Sequence, residues 1–200
     1  MHRSTLGIAI AAVAMIAVSC TPFGRQGRSD YLAGYNRPQP AQATGAPRDD
    51  VSYWDGDGVT GSPRIVINLH LQKASFYKGE QLVGVSKLST GSEGHDTPPG
   101  SYKIIEKNRH HRSNLYGVFK DKLTNQVVDE DGDLTKKKVP EGCYFEGSSM
   151  PYFMRFNGGI GMHTGYLPGY NASHGCVRMP DHMARTYFQN VEVGTPVIVE

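Results

Sequence analysis

The chain has 200 residues, a formal net charge of +2 and 20% charged residues, so its composition gives no indication of a nucleic-acid partner. The 24 glycines and 12 prolines favour a turn-rich β protein over a helical bundle. Without its N-terminal region the chain keeps about 140–150 residues, enough for one domain with an ordinary core.

The first twenty residues are predicted to be an export signal. An apolar run of about thirteen residues extends from Leu6 to Val18, which is too short to cross a bilayer comfortably. It ends in Ala17-Val18-Ser19-Cys20, which resembles the lipobox of bacterial lipoproteins. The resemblance implies that Cys20 is lipidated and that acyl chains anchor the protein to a membrane. Plain secretion and an uncleaved anchor are the alternatives, and all three place the domain outside the cytoplasm.

Residues 21–61 are predicted to be a linker before a single domain over residues 62–200. The segment is rich in Pro, Gly, Gln and Ala and has no apolar period. A flexible tether of about thirty residues has a root-mean-square reach of roughly 30 Å.

The domain is predicted to open with an antiparallel meander. The segment Arg64–Leu71 alternates, so one face would carry Ile65, Ile67, Leu69 and Leu71. Strands over Ala74–Tyr77 and Gln81–Leu88 are expected to follow, with His70 on the surface.

A rigid turn is predicted at Thr97-Pro98-Pro99-Gly100, because the prolines preset φ at two positions and a permissive glycine follows. We interpret this turn as architectural. A strand is expected directly after it, over residues 101–106.

Residues 107–140 have the weakest pattern. The basic run Lys107–Arg112 is predicted to be a solvated loop, and the acidic run Asp129–Asp133 an exposed turn followed by three lysines. A calcium loop is not indicated, because no bidentate Glu follows at the twelfth place. We expect this segment to cover one side of a cleft.

The C-terminal part combines strands with one helix. A strand over Met150–Phe156 should lead through Asn157-Gly158-Gly159 to His163. A helix is predicted from Pro180-Asp181 to about Gln189, since proline and an acidic residue suit a helix start. The apolar contacts of this helix would be Met183, Tyr187 and Phe188, and residues 195–199 would form the last strand.

The chemistry is concentrated in Ser173-His174-Gly175-Cys176-Val177-Arg178 and in His163 just before it. At an ordinary pKa of about 8.5, Cys176 would be only about 3% thiolate at pH 7, and a nearby imidazole is expected to lower that pKa. Gly175 permits a sharp turn, and the amides of Gly175 and Cys176 are candidate donors to an oxyanion. The pattern predicts a cysteine acyl-transfer enzyme.

Two other interpretations of Cys176 remain open. It could form a disulfide with Cys143, or it could bind zinc together with His163 and His174. The His-x-Cys spacing is unusual for zinc, and the sequence offers no convincing fourth ligand. We expect no metal or cofactor, because covalent catalysis with backbone donors suffices.

These motifs together resemble the signature of the L,D-transpeptidase (YkuD) family over roughly residues 62–200. The resemblance covers the upstream His163, the Ser-His-Gly-Cys run with Arg178, and the Thr-Pro-Pro-Gly turn. It implies a mostly β, YkuD-like sandwich of two mixed sheets with one helix after the catalytic cysteine. Enzymes of this family act on the stem peptides of bacterial peptidoglycan.

The resemblance also implies a role for each site residue. The catalytic group would be Cys176 as nucleophile, His163 as base, the carbonyl of Thr164 as its orienting partner, His174 as pocket wall and Gly175 as oxyanion donor. Two further residues would bind substrate: Arg178 would contact a carboxylate, unless it forms a structural ion pair, and Ser173 would hydrogen-bond locally.

The implied function is a peptidoglycan L,D-transpeptidase that forms a thioester and passes it to an amine. The alternatives are an L,D-carboxypeptidase with the same Cys-His site and a non-catalytic, wall-binding lipoprotein. In each case we expect a monomer in the cell envelope that faces the periplasm or the cell wall. We also expect Cys143 and Cys176 not to be bridged in the active protein.

Overall fold

The computed structural model describes residues 49–200. In chain order the strands of this range are β1 (Tyr53–Trp54), β2 (Pro63–Asn68), β3 (Lys73–Lys78), β4 (Gln81–Lys87), β5 (Gly100–Lys103), β6 (Glu106–Asp121), β7 (Val127–Asp133), β8 (Cys143–Asn157), β9 (Ile160–Thr164), β10 (Val177–Met179) and β11 (Pro196–Val199). One helix in the described range, α1 (Asp181–Asn190), connects β10 to β11.

The strands form two mixed sheets. The first has the order β1-β4-β3-β2-β11-β5, in which β11 runs parallel to β2 and the other pairs are antiparallel. The second has the order β10-β9-β8-β6-β7, with β10 parallel to β9 and the other pairs antiparallel. Two mixed sheets and a helix after Cys176 confirm the predicted fold class.

The main hydrophobic core unites inward-facing residues of both sheets with one face of α1. Ile65 and Phe76 from the first sheet and Met162 and Val177 from the second are all fully buried. Each such side chain contributes roughly 1.5–3 kcal/mol to folding. The hydroxyl of Tyr187 on α1 donates to the carbonyl of Ala74 at 2.9 Å, so the helix is also tied to β3 by a buried hydrogen bond.

The first predicted strand is shorter than expected. It ends at Asn68, whose side-chain oxygen accepts a hydrogen bond from the amide of Leu71 at 2.7 Å and closes a turn. Leu71 therefore leaves the buried face and is 59% exposed, which corrects the predicted alternation. His70 is exposed, as predicted.

The predicted linker also ends earlier than residue 61. Tyr53–Trp54 forms an edge strand on β4, and the ring of Trp54 lies 5.1 Å from that of Phe76. Strand pairing and this aromatic contact tie the short segment to the first sheet and to the core. Residues 1–48, including Cys20 and the predicted export signal, lie outside the described residues.

The two charged runs were predicted wrongly as a loop and a turn, because both are strands. The basic run Lys107–Arg112 lies within β6 and pairs with β8. The acidic run lies within β7, where its charge is balanced by lysines further along the chain. Lys137 lies 2.9 Å from a carboxylate oxygen of Asp129, and Lys136 contacts the buried Asp133.

The helix is close to the prediction. It begins at Asp181, with Pro180 at the N-cap, and ends at Asn190. Within residues 49–200 no helix is both long enough and apolar enough to cross a membrane.

Candidate active site

The parallel pair β9 and β10 brings His163 and Cys176 to the same side of the second sheet. Met162 lies opposite Val177, and His163 lies opposite Arg178. Met162 and Val177 point into the main core. Because side chains alternate along a strand, His163 and Arg178 lie on the outer face. Cys176 directly precedes β10, and its thiol is near the Gly159 carbonyl and within the influence of the Gly161 amide and of Arg155 and Arg178.

His163 is held in one orientation and one tautomer. Its Nδ1 atom lies 2.7 Å from the carbonyl oxygen of Thr164, the contact that the sequence analysis predicted. A carbonyl only accepts, so Nδ1 carries the proton and Nε2 has its lone pair available. His163 is only 5% exposed, and burial lowers its pKa to about 4, so the ring is neutral at pH 7.

Cys176 is partly exposed and lies against the turn between β8 and β9. Its thiol donates a weak hydrogen bond to the carbonyl of Gly159, with 3.7 Å between the two heavy atoms. Burial raises the pKa of the thiol, and this effect exceeds the opposing influence of the Gly161 amide and of the charges on Arg155 and Arg178. The expected lowering of the thiol pKa is therefore wrong for the resting site, which holds a neutral thiol.

The Ser173–Cys176 loop is closed by its own hydrogen bonds. The hydroxyl of Ser173 donates to the carbonyl of Cys176 and accepts from the amide of Gly175 at 3.1 Å. Ser173 is 1% exposed, so we interpret it as a residue that shapes the loop, and substrate contact stays a prediction. Gly175 has a φ of 105°, a value that strongly favours glycine.

Because the amide of Gly175 is already paired with Ser173, the amide of Cys176 is the remaining candidate oxyanion donor of the two that the sequence indicated. The loop is also tied to the Thr-Pro-Pro-Gly turn. Thr97 is 2% exposed, and its hydroxyl donates to the carbonyl of Gly175 at 2.8 Å. The turn therefore has a structural role, since its Thr97 hydroxyl holds the loop that carries the Cys176 thiol.

His174 forms part of the wall beside the thiol. Its ring centroid lies 4.4 Å from that of His95 and 4.5 Å from that of Tyr116. Burial lowers the pKa of His174, and the charge of a protonated His95 would lower it further. Tyr116 belongs to β6, so the segment over residues 107–140 does reach the side of the candidate site.

Arg178 is 3% exposed, and its guanidinium forms hydrogen bonds within the protein. It donates to the carbonyls of Tyr166 at 3.4 Å and Ala172 at 3.1 Å, which fixes the loop between β9 and β10. Contact with a substrate carboxylate stays a prediction.

Cys143 is buried, and both Cys143 and Cys176 are free thiols in the structure. Among residues 49–200 there is no group of three or more His, Cys, Asp or Glu side chains arranged to hold a metal ion.

Comparison with known proteins decides the family. A sequence profile described as YkuD, the L,D-transpeptidase catalytic domain, matches residues 62–199. The chain belongs to this family.

Relatives within the L,D-transpeptidase family agree with this assignment. Probable L,D-transpeptidase 3 of Mycobacterium tuberculosis is 29% identical over 150 residues, which is 72% of this chain and 47% of that protein. An L,D-transpeptidase structure from Mycobacterium smegmatis is 18% identical with a TM-score of 0.53, covering 70% of this chain and 58% of the other. The chain thus spans about half the length of the curated relative.

A second solved structure is L,D-transpeptidase 3 of Mycobacterium tuberculosis in complex with a faropenem-derived adduct. It is 22% identical with a TM-score of 0.51, and the match covers 70% of this chain and 60% of that chain. At such identities the solved structures support the L,D-transpeptidase fold alone.

Three residues beside the candidate site were not singled out from the sequence. Tyr116 was unassigned because nothing in a strand sequence indicates which distant loop its ring will cover. Gly159 was read only as part of a turn, although its carbonyl contacts the thiol. Arg155 was not singled out, and its register opposite Gly161 was the only signal, which requires the paired strands to be known.

Proposed function

We propose that this protein is a cysteine-dependent peptidoglycan L,D-transpeptidase, with Cys176 as nucleophile and His163 as general base. The observation that carries the proposal is the state of His163. Its Nδ1 is fixed on the Thr164 carbonyl and its ring is neutral, so Nε2 is ready to accept a proton on the face that holds Cys176.

In the first half-reaction the sulfur of Cys176 attacks the carbonyl carbon of the L,D-peptide bond before a terminal D-alanine. The thiol proton passes to Nε2 of His163, and the amide of Cys176 donates to the developing oxyanion. The tetrahedral intermediate then collapses into a thioester. The proton on His163 moves to the departing amine of D-alanine.

In the second half-reaction an amine of a neighbouring stem attacks the thioester carbon and loses a proton to Nε2 of His163. The carbon–sulfur bond then breaks, Cys176 leaves as a thiolate, and the proton on His163 passes to it, which restores the resting thiol and the neutral imidazole. Thr164 acts throughout through its carbonyl, which keeps the ring of His163 in one orientation.

The resting pKa values determine how the first step proceeds. Burial raises the pKa of the Cys176 thiol and lowers that of His163 to about 4, so a separated thiolate and imidazolium would be scarce. The proposal is that His163 takes the thiol proton as the sulfur attacks the carbonyl. The thiol also gives up its contact with the Gly159 carbonyl as the proton moves toward His163.

The remaining roles follow from position. The ring of His174 shapes the pocket beside Tyr116, and Ser173 and Thr97 hold the loop in place. The peptidoglycan substrate and the cell-envelope location are part of the proposal because members of this family act on the cell wall. The membrane anchor at Cys20 rests on the lipobox-like Ala17-Val18-Ser19-Cys20, and a monomeric state completes the proposal. The L,D-carboxypeptidase and the wall-binding lipoprotein remain as outcomes of the test.

The test is intact mass spectrometry of a stem tetrapeptide incubated with wild-type protein or Cys176→Ala, with and without an amine acceptor. Loss of D-alanine together with an acceptor adduct, both absent from the variant, is the expected result. Hydrolysed product alone would assign the protein as a carboxypeptidase. An unchanged peptide with every protein would overturn the enzyme proposal in favour of a binding module.

A second test uses faropenem, since a relative from Mycobacterium tuberculosis has been solved with a faropenem-derived adduct. We expect a covalent adduct on the protein that is lost in Cys176→Ala. The matched control is Cys143→Ala, which removes the other thiol in the described range. Cys143 is buried in the wild type, so this variant should still form the adduct. An adduct that survives in Cys176→Ala would contradict the assignment of the nucleophile.

A further inference from the structure

We propose that Arg155 is a positioning residue of the active site, which holds the turn between β8 and β9 against the Cys176 thiol and sets the reactivity of that thiol. The inference rests on the proposed function only in naming Cys176 as the nucleophile. Its evidence is the cross-strand register, three contacts of the guanidinium and the contact between the thiol and the turn.

Arg155 lies in a row of residues that crosses the second sheet toward Cys176. It is opposite Glu106 on β6 and opposite Gly161 on β9. The next residue after Gly161 is Met162, which pairs with Val177 directly after the nucleophile. Met154 and Phe156, on either side of Arg155, belong to the core, so the Arg155 side chain is on the outer face with Cys176.

The guanidinium of Arg155 is anchored at two points. Its Nε atom lies 2.7 Å from a carboxylate oxygen of Glu106, and its NH1 group donates to the carbonyl of Gly158 at 3.0 Å. The side chain of Arg155 is 23% exposed, so this ion pair is only partly screened by water. The planar shape of the group fixes the two contacts relative to one another.

The turn held by Arg155 is the one that contacts the nucleophile. Gly158 is followed by Gly159, whose carbonyl accepts the thiol hydrogen of Cys176. Both glycines face open space, since a Cβ added to either would have no atom within 4 Å. The pairing of Asn157 with Ile160 closes the turn, and the hydrogen bond from Arg155 to the Gly158 carbonyl adds a side-chain restraint directly beside the Gly159 carbonyl.

Arg155 also covers the aromatic ring next to the proposed base. Its guanidinium carbon lies 5.0 Å from the ring centroid of Phe153, which is fully buried. The same ring is stacked on His111 at 4.1 Å, and its centroid lies 6.2 Å from that of His163. Arg155 therefore contacts both the turn that lies against the Cys176 thiol and the Phe153 ring that lies near His163.

The charge of Arg155 has a direct consequence for the thiol. Together with Arg178, it opposes the effect of burial on the pKa of Cys176. Other titratable and charged groups at this outer face are Glu106, His111, Tyr116, His163 and His174, and His95, Asp133 and Lys136 act in turn on Tyr116 or His174. Arg178 donates to the carbonyls of Tyr166 and Ala172, whereas Arg155 forms an ion pair with a titratable group, Glu106.

The test measures the pH dependence of iodoacetamide alkylation at Cys176, resolved by peptide mass spectrometry, in the full chain without substrate. Arg155→Gln should raise the pH midpoint and slow alkylation at pH 7 by about three- to tenfold, since one pKa unit changes the thiolate fraction about tenfold. Glu106→Gln leaves Arg155 uncompensated and should lower the midpoint. Opposite shifts from the two partners of one ion pair would not result from general loss of structure.

Turnover separates charge from position. Arg155→Lys keeps the charge, so its alkylation midpoint should match that of the wild type. Its D-alanine release should still be at least about fivefold slower than that of the wild type, because an ammonium cannot contact Glu106 and the Gly158 carbonyl in the fixed geometry of a guanidinium. The matched control is Arg112→Gln. Arg112 bonds a carboxylate of Glu146 at 3.2 Å and a glycine carbonyl at 2.8 Å in the same sheet, and its substitution should change neither readout.

Equal midpoints for wild type and Arg155→Gln, or equal effects of Arg155→Gln and Arg112→Gln, would overturn the inference. So would shifts of the same sign for Arg155→Gln and Glu106→Gln. A wild-type protein without turnover contradicts the proposed function instead. The alkylation profile still decides whether Arg155 sets the reactivity of the thiol, because it needs no substrate.

Discussion

The hydroxyl of Thr97 donates to the carbonyl of Gly175 at 2.8 Å, which joins the proline-rich turn to the loop that carries the nucleophile. The same oxygen accepts the amide of Gly91 at 3.0 Å. A single buried side chain therefore satisfies two backbone groups from two different loops. The Thr-Pro-Pro-Gly turn is far from Cys176 in the sequence, yet through this hydrogen bond it supports the loop that carries Cys176.

Thr97→Val should weaken both stability and activity. The substitution leaves the amide of Gly91 and the carbonyl of Gly175 without this partner in a buried place, at a cost of about 1–3 kcal/mol in the free energy of unfolding. Urea denaturation and D-alanine release measure the two effects. Thr97→Ser should recover most of both, because it keeps the hydroxyl.

The control for this prediction is Thr186→Val, which removes a hydroxyl that donates to the carbonyl of His182 on an exposed part of α1. It should cost less than about 0.5 kcal/mol. Equal losses from the two valine variants would contradict the role of Thr97.

The ring of Tyr116 should keep His174 in its buried environment. Tyr116→Ala is expected to expose His174 and so to raise its lowered pKa back toward the ordinary value, whereas Tyr116→Phe keeps the ring and the lowered pKa. NMR titration of the His174 side chain measures the shift. A pKa that stays unchanged in Tyr116→Ala would show that His95 and the backbone alone bury the ring.

The sequence could predict those parts of the site that are close together in the chain. His163, Thr164 and the Ser173–Cys176 run form a short segment, and the predicted contact between His163 and the Thr164 carbonyl is present at 2.7 Å. The parallel pairing of β9 with β10, which aligns them, was not predicted, since a mixed sheet does not say which of its strands run parallel. Local information has limits, since the predicted alternation of Arg64–Leu71 fails at Leu71, where the chain turns after Asn68.

The parts that could not be predicted depend on pairing between distant strands. The charged run Lys107–Arg112 has no apolar alternation, so nothing local marked it as a strand, yet it pairs with β8 along its length. Likewise, the burial that raises the pKa of Cys176 arises from neighbours on other strands. The position of Arg155 near the site could not be predicted, because it depends on the register that places this residue between Glu106 and Gly161.

Gly161→Ala should disrupt the outer face of the sheet beside the site. A Cβ at this position would lie 2.6 Å from the ring of Phe153 and 2.7 Å from the carbonyl oxygen of Met154, and the latter cannot yield without moving the strand. We expect a loss of about 1–3 kcal/mol in the free energy of unfolding and a strong loss of D-alanine release. Gly159→Ala is the matched control for the stability measurement alone, since a Cβ there meets no atom within 4 Å.

Stability should depend on pH through His163. Its pKa is about 4 in the folded protein, against 6.5 as its ordinary value, so the unfolded chain binds more protons between these pH values. The contribution of neutral His163 to folding is therefore complete above about pH 6.5 and is lost as the pH falls toward about 4. The difference corresponds to about 3 kcal/mol.

Urea denaturation of wild type and His163→Asn at pH 7 and pH 4 measures this contribution. The wild type should lose about 3 kcal/mol more than the variant between the two pH values. His111 and His174 also have lowered pKa values and are present in both proteins. Because the charge of His111 acts on His163, His111→Asn is made in both backgrounds to separate the two contributions. An equal loss in the two proteins would show that His163 is not held neutral, and the proton transfer from Cys176 would then need another acceptor.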